Sequence, residues 1–264
     1  AEIELKNAKL CAFGSTRRKN LSVEEDENVL SLLKANTDTI VIFGKSWDLH
    51  VKEILRTDLE TNLALVFDTV EFFKKRGKEL IFDAEHFFDG YKANAQCAMD
   101  VLKAADDAGA DALCLCDTNG GCTPDEIYQI TEEVVKAFPG RQIGIHCHND
   151  AGCAVANSMM AVFAGATQVQ GTFIGIGERC GNADLSIIIP NLQLKQNYNC
   201  VPGDLSGLTE AVYTISEISN MQVPMNKPYV GLSAFAHKAG MHIDGVLKCS
   251  YSFEHVNPEE VGNK

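Results

Sequence analysis

The chain has 264 residues, of which 45% are hydrophobic and 22% charged, a composition typical of a globular protein with a substantial core. Its net charge of −13 and its single short basic run, Arg17–Lys19, argue against a nucleic-acid partner, because phosphate binding needs clustered lysine and arginine. We expect neither a membrane anchor nor a signal peptide, because no hydrophobic run approaches the roughly 20 residues of a span. Ten scattered cysteines are typical of reduced thiols in a cytoplasmic protein.

Strand-like and helix-like segments alternate through most of the first 200 residues. Hydrophobic and β-branched runs predict six strands, and amphipathic spacing predicts the helices between them. A loop through Gly90 is expected after the third strand, and Thr123 to Glu126 forms a capping box with proline at the first helical position. The predicted strands lie at residues 8–13, 39–43, 79–86, 111–116, 143–148 and 167–174, and the helices at 22–35, 58–76, 94–108, 124–137 and 151–166.

Alternating units of this length predict an α/β fold with a parallel sheet and right-handed crossovers. A closed (β/α)8 TIM barrel needs eight units, so we expect an amino-terminally truncated barrel with about two units lying upstream of residue 1. A six-stranded open sheet is the structural alternative. Beyond Asn182, the sequence is broken into short helical pieces by Pro190, Pro202, Pro224 and Pro228. The expected domains are a partial barrel at 1–195 and a small, mainly helical subdomain at 196–264.

Two histidines mark the end of the predicted fifth strand. His146 and His148 alternate with hydrophobic residues, so their side chains are expected on one face of the strand, just before the next helix. Imidazole pairs are common ligands of divalent cations, and the carboxyl edge of a parallel sheet is where active sites are built. For the pair alone, simple alternation with core residues explains the pattern equally well.

Further polar residues end the neighbouring strands. Asp83 and Glu85 lie two apart at the end of the third strand, Asp117 and Thr118 follow the fourth, and a glycine-rich loop at 175–182 follows the sixth. Histidine nitrogen combined with carboxylate or amide oxygen suits magnesium, manganese or zinc, with positions left open for a substrate. The loop is not a dinucleotide fingerprint, because no G-x-G-x-x-G opens a helix after the first strand.

Six motifs together resemble the isopropylmalate and homocitrate synthase family, in its citramalate synthase branch. The resemblance covers essentially the whole chain. The motifs are Ala12–Arg18, Phe43–His50, Asp83–Gly90, Cys116–Gly121, His146–Asp150 and Gly177–Asn182.

The resemblance implies that His146, His148 and Asn182 are ligands of a divalent metal: magnesium, manganese, cobalt or zinc. The family's fourth protein ligand is an aspartate in an Asp-Thr-Thr-Leu-Arg-Asp-Gly motif on the first strand of the barrel. That motif does not occur in this sequence. Its absence agrees with the strand count and implies an incomplete site in the chain as given.

The resemblance also implies roles for substrate contacts. Glu85 matches a catalytic carboxylate near the keto-acid pocket, and Thr118 matches a hydroxyl that binds the substrate carboxylate. His242 looks like the catalytic histidine that the family's subdomain contributes to acetyl-CoA chemistry, often in the partner subunit's site, with Asp244 beside it. A family tyrosine is unassigned here, since spacing places Phe253 at its position and Tyr251 two residues earlier.

The implied reaction is a Claisen-type condensation of acetyl-CoA with a 2-oxo acid, by an acyltransferase that acts as a homodimer. Pyruvate would give citramalate, and 2-oxoisovalerate would give 2-isopropylmalate. Alternatives are a carbon–carbon lyase of the hydroxymethylglutaryl-CoA type, a biotin-dependent carboxyltransferase barrel, and a catalytically silent folded fragment. The subdomain that contains His242 favours the condensation reaction over cleavage.

Overall fold

The computed structural model describes residues 5–264 and divides the chain into two compact units. The first extends to Gln170, and the second runs from Gly171 to Lys264. The predicted domain boundary after residue 195 stays a prediction.

The first unit contains a six-stranded sheet in which every neighbouring pair is parallel and the strand order follows the chain. This arrangement confirms the prediction of six successive β/α units. The strands are β1 (Cys11–Ser15), β2 (Thr39–Lys45), β3 (Glu79–Glu85), β4 (Ala112–Asp117), β5 (Gln142–Cys147) and β6 (Gln168–Gln170).

Helices connect the consecutive strands of the first unit, and some of them begin at a residue whose side chain caps the helix. Asp26 accepts a hydrogen bond from the N–H of Asn28, so the first helix begins later than the predicted residue 22. The helices are α1 (Glu27–Lys34), α2 (Asp48–His50), α3 (Leu59–Lys74), α4 (Phe87–Asp107), α5 (Pro124–Ala137) and α6 (Ala154–Phe163).

The start of α6 corrects another expected boundary. Asn149 accepts a hydrogen bond from the N–H of Ala154 at 3.1 Å, and residues 149–153 form the turn between the strand and the helix. The predicted helix at 151–166 is therefore shorter. The capping box at Thr123 and Glu126 is confirmed, and α5 ends at the predicted residue.

The prediction of a loop through Gly90 was wrong, because α4 already begins at Phe87. Asn94, where we expected the helix to begin, is a kink inside α4. The reason is a contact between distant segments: a Cβ atom at Gly90 would lie 2.2 Å from the carbonyl oxygen of Ser46. Glycine is therefore needed for close packing of the helix on the segment after β2, and does not end the helix here.

Burial of the sheet follows from its hydrophobic runs. All six residues of β4 are buried, and Leu113 and Leu115 are completely inaccessible to solvent. A strand covered on both faces is typical of a parallel sheet in an α/β fold. Polar groups at the carboxyl ends of these strands are consequently held by a rigid core.

The second unit consists of short helices around a small core, as the proline-rich pattern predicts. Its helices are α7 (Leu185–Pro190), α8 (Leu208–Ser219) and α9 (Gly240–Lys248). Tyr229 donates a hydrogen bond to Asn191 at 2.6 Å and packs in this core. The buried core residues are Leu205, Leu208, Val212, Tyr229, Val230, Val256 and Val261. Across residues 5–264, the structure has no helix with the length and hydrophobicity to span a membrane.

We predict that Gly90→Ala destabilises the first unit by about 1–3 kcal/mol, the usual cost of overpacking, because the added methyl group meets backbone that has little room to move. Urea unfolding followed by circular dichroism measures the change. Gly121→Ala is the matched control, because a Cβ atom there has no neighbour within 4 Å among the described residues. Equal stability of the two variants would contradict the packing role.

Candidate active site

The histidine pair lies at the carboxyl end of β5. His146 is in the strand and His148 follows it, and their Nε2 atoms are 3.4 Å apart. The two side chains therefore point to one place, as the alternation in the sequence predicts. Their role as metal ligands stays a prediction.

The distance between these two nitrogens fits a pair of ligands on one cation. Nitrogens bound at about 2.1 Å each lie roughly 3.0–3.4 Å apart when the bond angle is between square and tetrahedral. Imidazole is a ligand for several divalent metals, including zinc. Residues 5–264 contain no group of three or more His, Cys, Asp or Glu side chains arranged to hold a metal.

A chain of hydrogen bonds supports His146 from behind. Its Nδ1 lies 2.9 Å from Oε1 of Gln170, whose Nε2 donates to Oδ1 of Asp83 at 2.8 Å. Asp83 is only 5% exposed, and burial raises the pKa of its carboxyl group to about 6. The sequence analysis did not name Gln170. The available signal was a polar residue at every second position of the predicted sixth strand, Gln168 and Gln170.

The loop after β4 is fastened to the strand of the histidines. The carbonyl oxygen of Asp117 accepts hydrogen bonds from the N–H of His148 at 3.2 Å and of Gly120 at 3.0 Å. Its carboxylate accepts one from the N–H of Cys122 at 3.2 Å, and burial raises the pKa of Asp117. These bonds fix where β4 and β5 end relative to each other.

Thr118 joins the same loop to the end of β3. Its hydroxyl oxygen accepts a hydrogen bond from the N–H of His86 at 2.8 Å, and His86 has a left-handed backbone with φ of 57°. The predicted substrate-binding hydroxyl is therefore held at the carboxyl edge by the neighbouring strand end. Its binding of a substrate carboxylate stays a prediction.

Glu85, the last residue of β3, forms an ion pair with Lys45, the last residue of β2. The two residues lie opposite each other in the parallel register, and both side chains are mostly buried, at 23% and 18% exposed. Lys45 was quoted only as part of a motif in the sequence. Its charge balances the mostly buried carboxylate of Glu85.

Aromatic rings pack against one another in the segments that follow β2 and β3. Trp47 stacks on His50 with 5.2 Å between ring centroids, and His50 lies 4.2 Å from His86. His86 in turn lies 3.3 Å from the carboxylate of Asp89 through Nδ1. Burial and the neighbouring His86 lower the pKa of His50, so its neutral form is favoured in the folded protein.

The second unit contains Asn182, the third predicted metal ligand, in a tightly folded loop. Its Nδ2 donates to the carbonyl oxygen of Ile176 at 2.9 Å, and its N–H donates to that of Gly175 at 3.0 Å. A Cβ atom at Gly181, where φ is +90°, would lie 2.0 Å from the oxygen of Gly175. Within residues 5–264, the buried Oδ1 of Asn182 has no hydrogen-bond partner. This oxygen suits a metal ligand.

A buried ion pair holds this loop in place. Lys227 pairs with Asp184, and the exposed fractions of the two side chains are only 13% and 6%. Lys227 also donates to the carbonyl oxygen of Ile174 at 3.2 Å, and Asp184 accepts from the N–H and hydroxyl of Ser186 at 2.9 and 2.6 Å. Both ends of the loop therefore depend on one lysine, which the sequence analysis missed.

His242 and Asp244 both lie on α9 in the second unit. The ring of His242 stacks on Phe253 at 4.4 Å, whereas Tyr251 is 74% exposed. Asp244 pairs with Lys248 one turn later at 2.6 Å. The structure thus places Phe253 against the predicted catalytic histidine, and it has no tyrosine in that position.

The predicted site residues are therefore divided between the two units. The first unit brings Glu85, Thr118 and the histidine pair to the carboxyl ends of adjacent strands β3, β4 and β5. The second unit contains the other three: Asn182, His242 and Asp244.

Comparison with known families identifies two matching regions. The model described as HMGL-like matches residues 3–217, and the model described as homocitrate synthase post-HMGL domain-like matches residues 229–264. Among solved structures, an HMG-CoA lyase from Bacillus subtilis superposes with a TM-score of 0.65 at 20% identity, covering 81% of this chain and 71% of that one. This similarity confirms the predicted barrel class of α/β fold.

Curated relatives are more similar in sequence. The (R)-citramalate synthase of Aquifex aeolicus is 58% identical over 264 residues, which are all of this chain and 50% of that protein. A probable 2-isopropylmalate synthase of Ignicoccus hospitalis is 36% identical over 232 residues, covering 88% of this chain and 57% of that protein. The chain spans about half the length of the curated relatives that it matches.

We predict that Lys227→Met lowers the free energy of unfolding by about 3–5 kcal/mol, because it leaves the carboxylate of Asp184 buried without its partner. Chemical unfolding monitored by circular dichroism tests this. Lys103→Met removes an exposed ion pair with Asp107 and is the control, with an expected loss of no more than about 1 kcal/mol. Similar small losses for both variants would show that Lys227 does not hold the loop.

Proposed function

The chain belongs to the HMGL-like family, and from this premise we propose that it carries the active site of an enzyme that condenses acetyl-CoA with a 2-oxo acid. The observation that supports this proposal most directly is the convergence of His146 and His148, whose Nε2 atoms lie 3.4 Å apart at the carboxyl edge of the sheet. Paired imidazole nitrogens at such an edge suit a divalent cation with open positions for a substrate.

The cation would be held by His146 and His148 and would be magnesium, manganese, cobalt or zinc, and the family resemblance implies the amide oxygen of Asn182 as a further ligand. Bound there, it would supply Lewis-acid polarisation of the keto group of the 2-oxo acid. The fit of the residues is supported by the spacing of the two nitrogens and by the buried Oδ1 of Asn182, which has no hydrogen-bond partner within residues 5–264.

The chain's own side chains would bind and orient the substrates. The hydroxyl of Thr118 would donate to the carboxylate of the 2-oxo acid, and the ion pair of Glu85 with Lys45 would face the keto-acid pocket as a neutral unit. Asp244 would contribute to the acetyl-CoA side beside His242. A fixed orientation of the two substrates accounts for much of the rate in a bimolecular reaction of this kind.

His242 would act as the general base. It would take a proton from the methyl group of acetyl-CoA, and the resulting enolate carbon would form a bond to C2 of the 2-oxo acid while the keto oxygen gains a proton. Water would then cleave the thioester, so that acetyl-CoA, the 2-oxo acid and water give a 2-hydroxy diacid and free CoA. The stacked ring of Phe253 would hold the imidazole in position.

Pyruvate is the proposed 2-oxo acid, with citramalate as the product and isoleucine biosynthesis as the context. The higher identity to an (R)-citramalate synthase, 58%, than to a 2-isopropylmalate synthase, 36%, supports this choice over 2-oxoisovalerate. The similarity to lyases is limited to the fold at 20% identity. The match of residues 229–264 to a homocitrate synthase domain favours synthesis over cleavage.

A homodimer is part of the proposal. Hydrophobic side chains on α9, the helix with His242, are largely exposed in the single chain: Met241 is 81% exposed and Leu247 82%. Exposed hydrophobic surface beside a catalytic group supports a second copy as its cover. Cytoplasmic location stays a prediction from the sequence.

We expect the full-length protein with manganese to release CoA from acetyl-CoA and pyruvate and to form citramalate, which mass spectrometry identifies. The value of kcat/KM should be higher for pyruvate than for 2-oxobutyrate or 2-oxoisovalerate. A catalytically silent protein, which releases no CoA with any of the three acids, would overturn the proposed function.

The role of His242 gives a separate expectation. His242→Asn should lower kcat by about 10²–10⁴-fold, as loss of a general base does, while leaving manganese affinity unchanged. His255→Asn is the control, because that histidine packs on Tyr229 with 5.2 Å between ring centroids and has no part in the proposed chemistry. Equal activity of the two variants would exclude His242 as the base.

A further inference from the structure

The pairing of the strands places the side chains that form hydrogen bonds behind His146. In the parallel register of β5 and β6, His146 lies opposite Gln170. Gln170 bridges two groups: its Oε1 lies 2.9 Å from Nδ1 of His146, and its Nε2 lies 2.8 Å from Oδ1 of Asp83 on β3. One amide thus joins side chains from three strands.

The chemistry of these groups fixes the orientation of the amide. An ionised carboxylate can only accept hydrogen bonds, so the NH₂ group of Gln170 must face Asp83. The amide oxygen then faces His146. Because that oxygen can also only accept, Nδ1 of His146 must carry the ring proton. The neutral imidazole therefore has its lone pair on Nε2, the atom that lies 3.4 Å from Nε2 of His148.

We propose that Gln170, oriented by Asp83, is a positioning residue that holds His146 in the Nδ1–H tautomer and so presents Nε2 to the cation. This inference rests on the proposed function, because it takes His146 to be a ligand. Ligating histidines commonly donate a hydrogen bond from the N–H of their second ring nitrogen to a neighbouring acceptor, and loss of such acceptors weakens metal affinity. Here the acceptor is an amide, whose own direction is set by a buried acid.

Burial makes this arrangement stable. Asp83 is 5% exposed, so its carboxylate has little access to water, and Gln170 donates a hydrogen bond to it. A purely structural role for Gln170 would lower stability on substitution and leave the ring tautomer unchanged. A measurement of the His146 tautomer therefore distinguishes a positioning role of Gln170 from a role in which it only provides hydrogen bonds to buried polar groups.

The test uses ¹⁵N-histidine-labelled full-length protein without metal, with the tautomer of His146 read from its ring ¹⁵N–¹H correlations. Wild type should show the Nδ1–H form, and Gln170→Leu should populate the Nε2–H form. The Kd for Mn²⁺ should rise about 10–100-fold in this variant. Gln168→Leu is the matched control on the same face of β6, and should change neither the tautomer nor the affinity.

Asp83→Asn is the second variant, and it provides the test if Gln170→Leu fails to fold. The substitution keeps the size of the side chain. Its amide pairs with either end of Gln170, so the share of the Nδ1–H tautomer should fall. Unchanged tautomer and Mn²⁺ affinity in the folded Gln170 variant, or an unchanged tautomer in Asp83→Asn, would overturn the inference.

His146→Ala separates failure of this inference from failure of the proposed function. If it leaves the Mn²⁺ affinity unchanged, His146 is not a ligand, and the proposed function loses its metal site. If it weakens Mn²⁺ binding while Gln170→Leu does not, only the role of Gln170 is overturned.

Discussion

The candidate site depends on the register in which the parallel strands pair. This register places Lys45 opposite Glu85 and His146 opposite Gln170. A slip of one residue would turn every side chain of a strand to the other face of the sheet and separate both pairs. The long buried strands at the centre of the sheet prevent such a slip, since it would expose their hydrophobic side chains. Burial of the core thus fixes the chemistry at its edge.

Buried polar groups give the site its rigidity. Asp83 and Asp117 are 5% and 1% exposed; Asp83 accepts a hydrogen bond from Gln170 on β6, and Asp117 accepts one from the N–H of Cys122 in the loop after β4. Taking a carboxylate out of water is unfavourable, which explains the raised pKa of both groups. Such networks are stable only when their members are paired, so each side chain has little freedom to move. In the second unit, the buried ion pair of Lys227 with Asp184 holds the loop that contains Asn182 in place.

Much of this architecture could be predicted from the sequence, because alternation of hydrophobic residues reports which side chains are buried. This alternation predicted the six β/α units and the convergence of His146 with His148. It missed contacts between distant segments: Gly90, inside α4, packs against the backbone of Ser46, and no local pattern indicates this contact. Gln170 and Lys227 were missed for the same reason, since their partners depend on strand register and on loop packing.

The central claim is that the histidine pair binds the catalytic cation. Isothermal titration of the full-length protein with Mn²⁺, with and without pyruvate, tests it most directly, with a His146→Ala, His148→Ala double variant as the comparison. The account predicts that the wild-type protein binds one ion per chain, more tightly with pyruvate present, and that the double variant loses this binding. Equal Mn²⁺ affinity in the two proteins would contradict the claim.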